Sequence, residues 1–116
     1  MKYHFSEVGN FTMINIFGNI DTAESTKQLD SEIGTMIAEG KHHFVFNLEK
    51  TTYLDSAGIS IFIHCLCDVQ ENNGSIFIIA EDNQVRRVIE MVGINRLIST
   101  YGTQQEFLDA QKITSE

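Results

Sequence analysis

Phe44-Val45-Phe46-Asn47-Leu48 and, six residues on, Leu54-Asp55-Ser56-Ala57-Gly58-Ile59 decide the fold of this chain. The first is a short continuous apolar run, the pattern of a strand covered on both faces. From Ile59 the period changes: Ile59, Phe62, Ile63, Leu66 and Val69 recur at helical spacing until Asn73-Gly74. Asp55-Ser56-Ala57-Gly58 therefore lies on the loop where a buried strand turns into a helix.

Further along, Ile76-Phe77-Ile78-Ile79 is a second buried strand, and Val85, Val88, Ile89 and Val92 mark a helix ended by Gly93. A last amphipathic segment, residues 104–113, carries Phe107, Leu108 and Ile113. Towards the N-terminus, Leu29, Ile33, Met36 and Ile37 form one helical face that stops at Gly40. Asp21 or Thr22 opens that helix, with Glu24 three after Asp21 as in a capping box. Before it, residues 2–8 alternate and residues 11–17 form a more apolar strand, with Gly9-Asn10 as the hairpin turn. The order is β-β-α-β-α-β-α-α, and its strand–helix–strand units imply parallel pairing with right-handed crossovers. No repeat, low-complexity tract or linker interrupts it, so residues 1–116 are read as one domain.

Composition narrows the functional classes. Sixteen acidic and eight basic residues give a formal charge of −8, which argues against nucleic acid and anionic lipid surfaces and suits a basic patch on a protein partner. Solubility alone would explain the same balance. Cys65 and Cys67 are spaced for neither a disulfide framework nor a zinc site, and the context reads as reducing cytoplasm. No signal-peptide pattern and no stretch of about 20 apolar residues is present, so neither secretion nor membrane insertion is expected.

The loop at Asp55-Ser56 is where chemistry is expected. A hydroxyl at a helix N-terminus is exposed, and a phosphate on it meets unpaired backbone N–H groups and the positive end of the helix dipole. Ala57 and Gly58 leave room beside it for another protein's active site. The bland alternative is capping: Asp and Ser are both favoured N-caps. Ser56 is expected to serve as cap and site at once.

A Ser-His-Asp hydrolase is disfavoured. Adjacent Asp55 and Ser56 leave no place for an imidazole between them, and no Gly-x-Ser-x-Gly elbow is present. His64 and Cys67, at i and i+3, could share a metal, but Cys65 points roughly opposite Cys67 and no second ligand pair is evident, so the cysteines read as buried or partly buried thiols. His42-His43 reads as a solvated strand edge, and Arg86-Arg87 as solvated charge on a helix. Glycines sit at element ends with no phosphate-loop or dinucleotide spacing, and no cofactor is expected.

Leu54-Asp55-Ser56-Ala57-Gly58-Ile59 resembles the signature of the STAS family, the sulphate-transporter and anti-sigma-factor-antagonist domain. Gly18-Asn19-Ile20-Asp21 resembles that family's Gly-x-x-Asp before the first helix. Phe46-Asn47-Leu48 resembles its buried strand, and Val92-Gly93-Ile94 the turn after its third helix. The resemblance spans nearly the whole chain. It implies an α/β fold with a mixed, mainly parallel β-sheet of about four to five strands, helices packed on one side and an N-terminal β-hairpin.

The same resemblance implies a non-enzymatic regulator of bacterial transcription that switches partners. Ser56 would be phosphorylated by an anti-sigma factor that is also a serine kinase of the histidine-kinase-like ATPase fold, and a PP2C-type phosphatase would reverse it. Asp21, Asp55, Ser56, Ala57 and Gly58 would form the partner-binding surface. The family often carries Ser or Thr where this chain has Ala57, which leaves Ser56 as the one hydroxyl of the motif. Two alternatives stay open. One is a STAS subunit of a larger assembly, such as a stressosome-type scaffold or a lipid ABC transporter; the other is a small-ligand or nucleotide-binding domain.

Overall fold

A computed structural model of the chain describes residues 2–20 and 23–113, with side chains in the first helix described from Thr26 onward. The element order is β1 (Lys2–Val8), β2 (Phe11–Ile20), α1 (Ala23–Ala38), β3 (His43–Leu54), α2 (Ser56–Glu71), β4 (Ser75–Ile79) and α3 (Gln84–Met91). A 3₁₀ turn (Ile94–Arg96), β5 (Ser99–Tyr101) and α4 (Gln104–Gln111) follow. The strands form one sheet in chain order. β1 and β2 are antiparallel, and every other neighbouring pair is parallel.

Alternation along the strands separates two cores. Ile14 and Ile16 of β2, Phe44, Phe46 and Leu48 of β3, and Ile76 and Ile78 of β4 face one way. They meet Leu29 and Ile33 of α1, Ile61, Phe62, Cys65 and Val69 of α2, and Val85 and Ile89 of α3. Phe46 and Phe62 meet edge to face with ring centroids 4.8 Å apart, a geometry that adds to the burial of both rings. The intervening residues Phe11, Met13, Val45 and Ile79 point the other way, onto Phe107 and Leu108 of α4. The expected packing on one side thus describes α1, α2 and α3, while α4 covers the opposite face. The reason is the composition of that face: Phe11, Phe77, Tyr101 and Phe107 form an aromatic cluster to which α4 contributes Phe107.

Two details depart from the sequence reading. Hydrophobic period does not show β5, the fifth strand that the resemblance allowed for, because Ser99-Thr100-Tyr101 is three residues long and carries no apolar run; β4 recruits it through backbone pairing and through Tyr101 against Phe77. β3 continues past Leu48 to Leu54, with irregularities where Asn15 pairs Asn47 but Phe17 pairs Lys50, and where Gly18 pairs Thr51 but Asn19 pairs Tyr53. Extra residues of this kind bend a strand and leave ladder groups unpaired. Buried Thr51 compensates at the first of them, its hydroxyl donating to the Ile16 carbonyl at 2.9 Å. The far end of β3 is thereby still paired when it reaches Leu54, opposite Ile20.

Candidate functional site

β2 and β3 end side by side, and this sets the site. Asp55 follows Leu54 in an extended conformation (φ −124°, ψ −166°), and its amide donates to the Ile20 carbonyl at 3.4 Å. From there the chain enters α2. Asp55 is its N-cap: one carboxylate oxygen accepts from the Ala57 amide at 2.9 Å, and its carbonyl accepts from the Ile59 amide at 3.1 Å. The expectation that Ser56 also caps the helix is corrected here. Asp55 satisfies the first turn, and Ser56 is the first helical residue, N1.

That division of labour frees the serine. Ser56 is exposed, and its hydroxyl makes no hydrogen bond with any described residue. Its carbonyl accepts from the Ser60 hydroxyl one turn on, at 2.9 Å. No described hydrogen bond joins a histidine to Ser56, so a serine-hydrolase relay has no geometric basis among these residues.

Ala57 is half-buried beside the serine, whereas Gly58 is buried and faces inward. A methyl group at Gly58 would come within 2.9 Å of Ile20 Cγ2 and closer still to Leu54 Cδ1. Ile20 and Leu54 are 0% and 3% exposed. What Gly58 supplies is close approach: the ends of β2 and β3 close directly on the first turn of α2, and a side chain would hold them apart. Asp21 lies outside the described residues.

From the Ser56 end of α2 a shallow groove of about 320 Å³ runs between α1 and α2. Thr26, Lys27 and Asp30 line it from α1, and Ala57, Ser60, Ile61 and His64 from α2. His64 bridges its walls. Nδ1 lies 2.8 Å from one Asp30 oxygen and 2.9 Å from the other, and Nε2 lies 3.5 Å from Asp68. The Asp30 hydrogen bond and charge, aided by Asp68, raise the imidazole pKa above 6.5 against a smaller opposing effect of desolvation. His64 is thus engaged by carboxylates on two helices. In the sequence only the i, i+3 pairing with Cys67 was visible, because Asp30 is 34 residues away.

Other residues weighed in the sequence separate in space. Cys65 is buried and its thiol is pushed up to about 12 by desolvation and by Asp68 and Asp30; Cys67 is exposed. His43 is no solvated edge residue, since it is half-buried, contacts Ser75 Oγ at 2.8 Å and meets Phe11 edge to face. Arg86 donates to the Ala80 carbonyl at 3.2 Å and pairs with Glu90, whereas Arg87 points to solvent. Among the described residues no helix is long and apolar enough to cross a membrane.

A five-stranded mixed sheet with an N-terminal hairpin and an exposed serine opening the second helix defines a small α/β domain, and comparison identifies its family. A family model for the STAS domain matches residues 3–107, and the chain belongs to that family. An anti-sigma-B factor antagonist of Staphylococcus aureus is 25% identical over 97 residues, covering 83% of this chain and 89% of that protein. Among solved structures, the unphosphorylated anti-sigma factor antagonist SpoIIAA superposes with a TM-score of 0.81 at 18% identity, over 98% of this chain and 100% of that one. The phosphorylated form of SpoIIAA, described as a Bacillus cell fate determinant, gives 0.75 at 20% identity, over 95% and 99%. At these identities the two structures establish the shared fold.

Proposed function

We propose that this chain is a cytoplasmic anti-sigma-factor antagonist whose Ser56 is the switch. The observation that carries the reading is the division between the two adjacent residues: Asp55 caps α2, leaving the Ser56 hydroxyl exposed and unpaired at a helix N-terminus. An anti-sigma factor that is also a serine kinase of the histidine-kinase-like ATPase fold binds the unphosphorylated surface and supplies nucleotide and general base. This chain supplies the nucleophile, as a substrate and not as an enzyme. A PP2C-type phosphatase restores the hydroxyl. The similarity to proteins named as antagonists of anti-sigma factors supports this reading.

The binding surface comprises Asp21, Asp55, Ser56 and Ala57, with Gly58 beneath it. Phosphorylation adds a charge of about −1.5 to −2 beside the Asp55 carboxylate. The α2 N-terminus welcomes that charge in water. A docked partner must desolvate it and face two or three adjacent negative groups, and a loss of about 3 kcal/mol already weakens binding about 100-fold. The test pairs the purified chain with the anti-sigma-factor kinase of its own organism. Phosphate mapped by mass spectrometry after incubation with ATP should sit on Ser56. Calorimetry should show tight binding for wild type and Ser56→Ala, and weak binding for Ser56→Asp. Phosphate on another residue, or equal affinity for Ser56→Asp, would sink the proposal.

A further inference from the structure

The end of the sheet opposite Ser56 carries a second surface of different character. β3 delivers Ser56 at its C-terminal end, whereas α3 runs back from the C-terminal end of β4 and reaches its own last turn at the far side. There Met91, Val92 and Leu97 are 83%, 55% and 61% exposed. They are three of the four large exposed hydrophobic side chains among the described residues, gathered within seven consecutive positions. Gly93, at φ +83°, makes the turn from α3 into the 3₁₀ segment, which packs against α3 and leads directly into Leu97. Scattered exposed hydrophobics are ordinary, but a cluster is a mark of an interaction site.

The charge around the cluster is equally uneven. All three arginines of the chain, Arg86, Arg87 and Arg96, lie within this segment. Arg86 is committed to Ala80 and Glu90. Arg87 and Arg96 are exposed and form no ion pair among the described residues. Arg87 stands one helical turn before Met91, on the same side of α3, and Arg96 immediately precedes Leu97. An apolar patch flanked by two unpaired guanidinium groups thus sits on a chain whose formal charge is −8.

This arrangement selects among occupants. In a two-fold pairing of the patch with its own copy, the one carboxylate that residues 86–97 offer to the facing Arg87 and Arg96 is Glu90, which already pairs with Arg86 in its own chain, so the guanidinium groups would lack acidic partners. A head-to-tail copy would need a complementary acidic patch elsewhere on the chain and would grow into filaments unless its rotation closed a ring. Anionic membrane recognition uses clusters of about four to eight basic residues, and two on an acidic domain fall short. We infer that the Met91–Leu97 surface is a second protein-docking site, for a partner segment that presents apolar side chains flanked by carboxylates. Guanidinium groups suit such carboxylates through paired hydrogen bonds, and Met91 adapts its shape to the apolar side chains. The surface is independent of the Ser56 reading and stands whether or not Ser56 is modified.

The probe is a synthetic peptide with leucine at helical i, i+3, i+7 spacing and glutamate between, titrated into ¹⁵N-labelled full-length protein. Amide shifts should move saturably at residues 87–97 and leave Ser56 and its neighbours unchanged. Arg87→Glu combined with Arg96→Glu should weaken binding about tenfold or more. Met91→Ser, a second variant at a side chain with little to lose in folding, should weaken it as well, with an unchanged unfolding midpoint for both proteins. The inference is overturned if residues 87–97 do not shift. It is equally overturned if a peptide with lysine in place of glutamate binds as well, if the same amides shift on concentrating the protein alone, or if only vesicles of phosphatidylserine and phosphatidylcholine occupy the surface.

Discussion

Replacing Gly58 by alanine tests how the Ser56 loop is held. The added methyl group lands 2.9 Å from Ile20 Cγ2 and nearer still to Leu54 Cδ1. Both side chains are buried, and Ile20 is β-branched and restricted at χ1, so the closely packed surroundings must absorb any shift of Ile20 or of the Leu54 methyl. Overpacking of this kind costs about 1–3 kcal/mol. Alanine recovers about 1 kcal/mol of helix propensity, so the net loss is expected at up to about 2 kcal/mol. Gly34 supplies the matched control. It lies inside α1, is exposed, and a methyl group there meets nothing within 4 Å. Gly34→Ala should therefore stabilise the protein by up to about 1 kcal/mol.

Both variants share the propensity gain, so urea unfolding followed by circular dichroism should separate them by the overpacking cost of about 1–3 kcal/mol at unchanged m-value. A cycle sharpens the result: Leu54→Val should cost less in the Gly58→Ala background than in wild type, because contacting residues couple by about 0.5–3 kcal/mol. If Gly58→Ala is as stable as Gly34→Ala, α2 does not close on the ends of β2 and β3 as described.

Three further outcomes follow from the same geometry. Asp55→Ala removes the N-cap of α2 and should cost about 1 kcal/mol in urea unfolding, while Asp55→Asn should retain most of the stability; equal losses would dismiss the capping role. Native alkylation with iodoacetamide should label exposed Cys67 and leave Cys65 unmodified until the protein unfolds, since burial holds the Cys65 thiol up at about 12; mass spectrometry showing Cys65 modified first would contradict the packing. The His64 clasp is pH-dependent. Its folded-state pKa is raised, so its stabilisation is full below 6.5 and fades as pH rises through the raised folded value. The pair is largely exposed, which limits the effect to below about 1 kcal/mol. His64→Gln should flatten the stability profile as pH rises above 6.5, and an unchanged profile would remove His64 as its source.

Much of this was legible in the residues because it is local. The strand–loop–helix change at Leu48 to Ile59 is a change of hydrophobic period, and period needs no tertiary information. The same holds for the hairpin around Gly9-Asn10 and for the last amphipathic segment. That Asp55 and Ser56 open a helix also followed from sequence order alone.

Which of the two caps it did not. Both are good N-caps, and only the extended backbone at Asp55, tied to Ile20 through its amide, decides that the carboxylate takes the role and the hydroxyl stays exposed. Gly58 seemed from its small size to leave space for a partner; the approach of Ile20, 38 positions earlier, turns it inward instead. The face that α4 covers is likewise settled by Phe11 and Phe107, at opposite ends of the chain. The bridge from Asp30 to His64 needs two helices laid side by side. Patterning along the chain thus determined the elements and the place of the serine. The partners each side chain meets came from packing, which joins residues whose separation along the chain leaves no periodic trace.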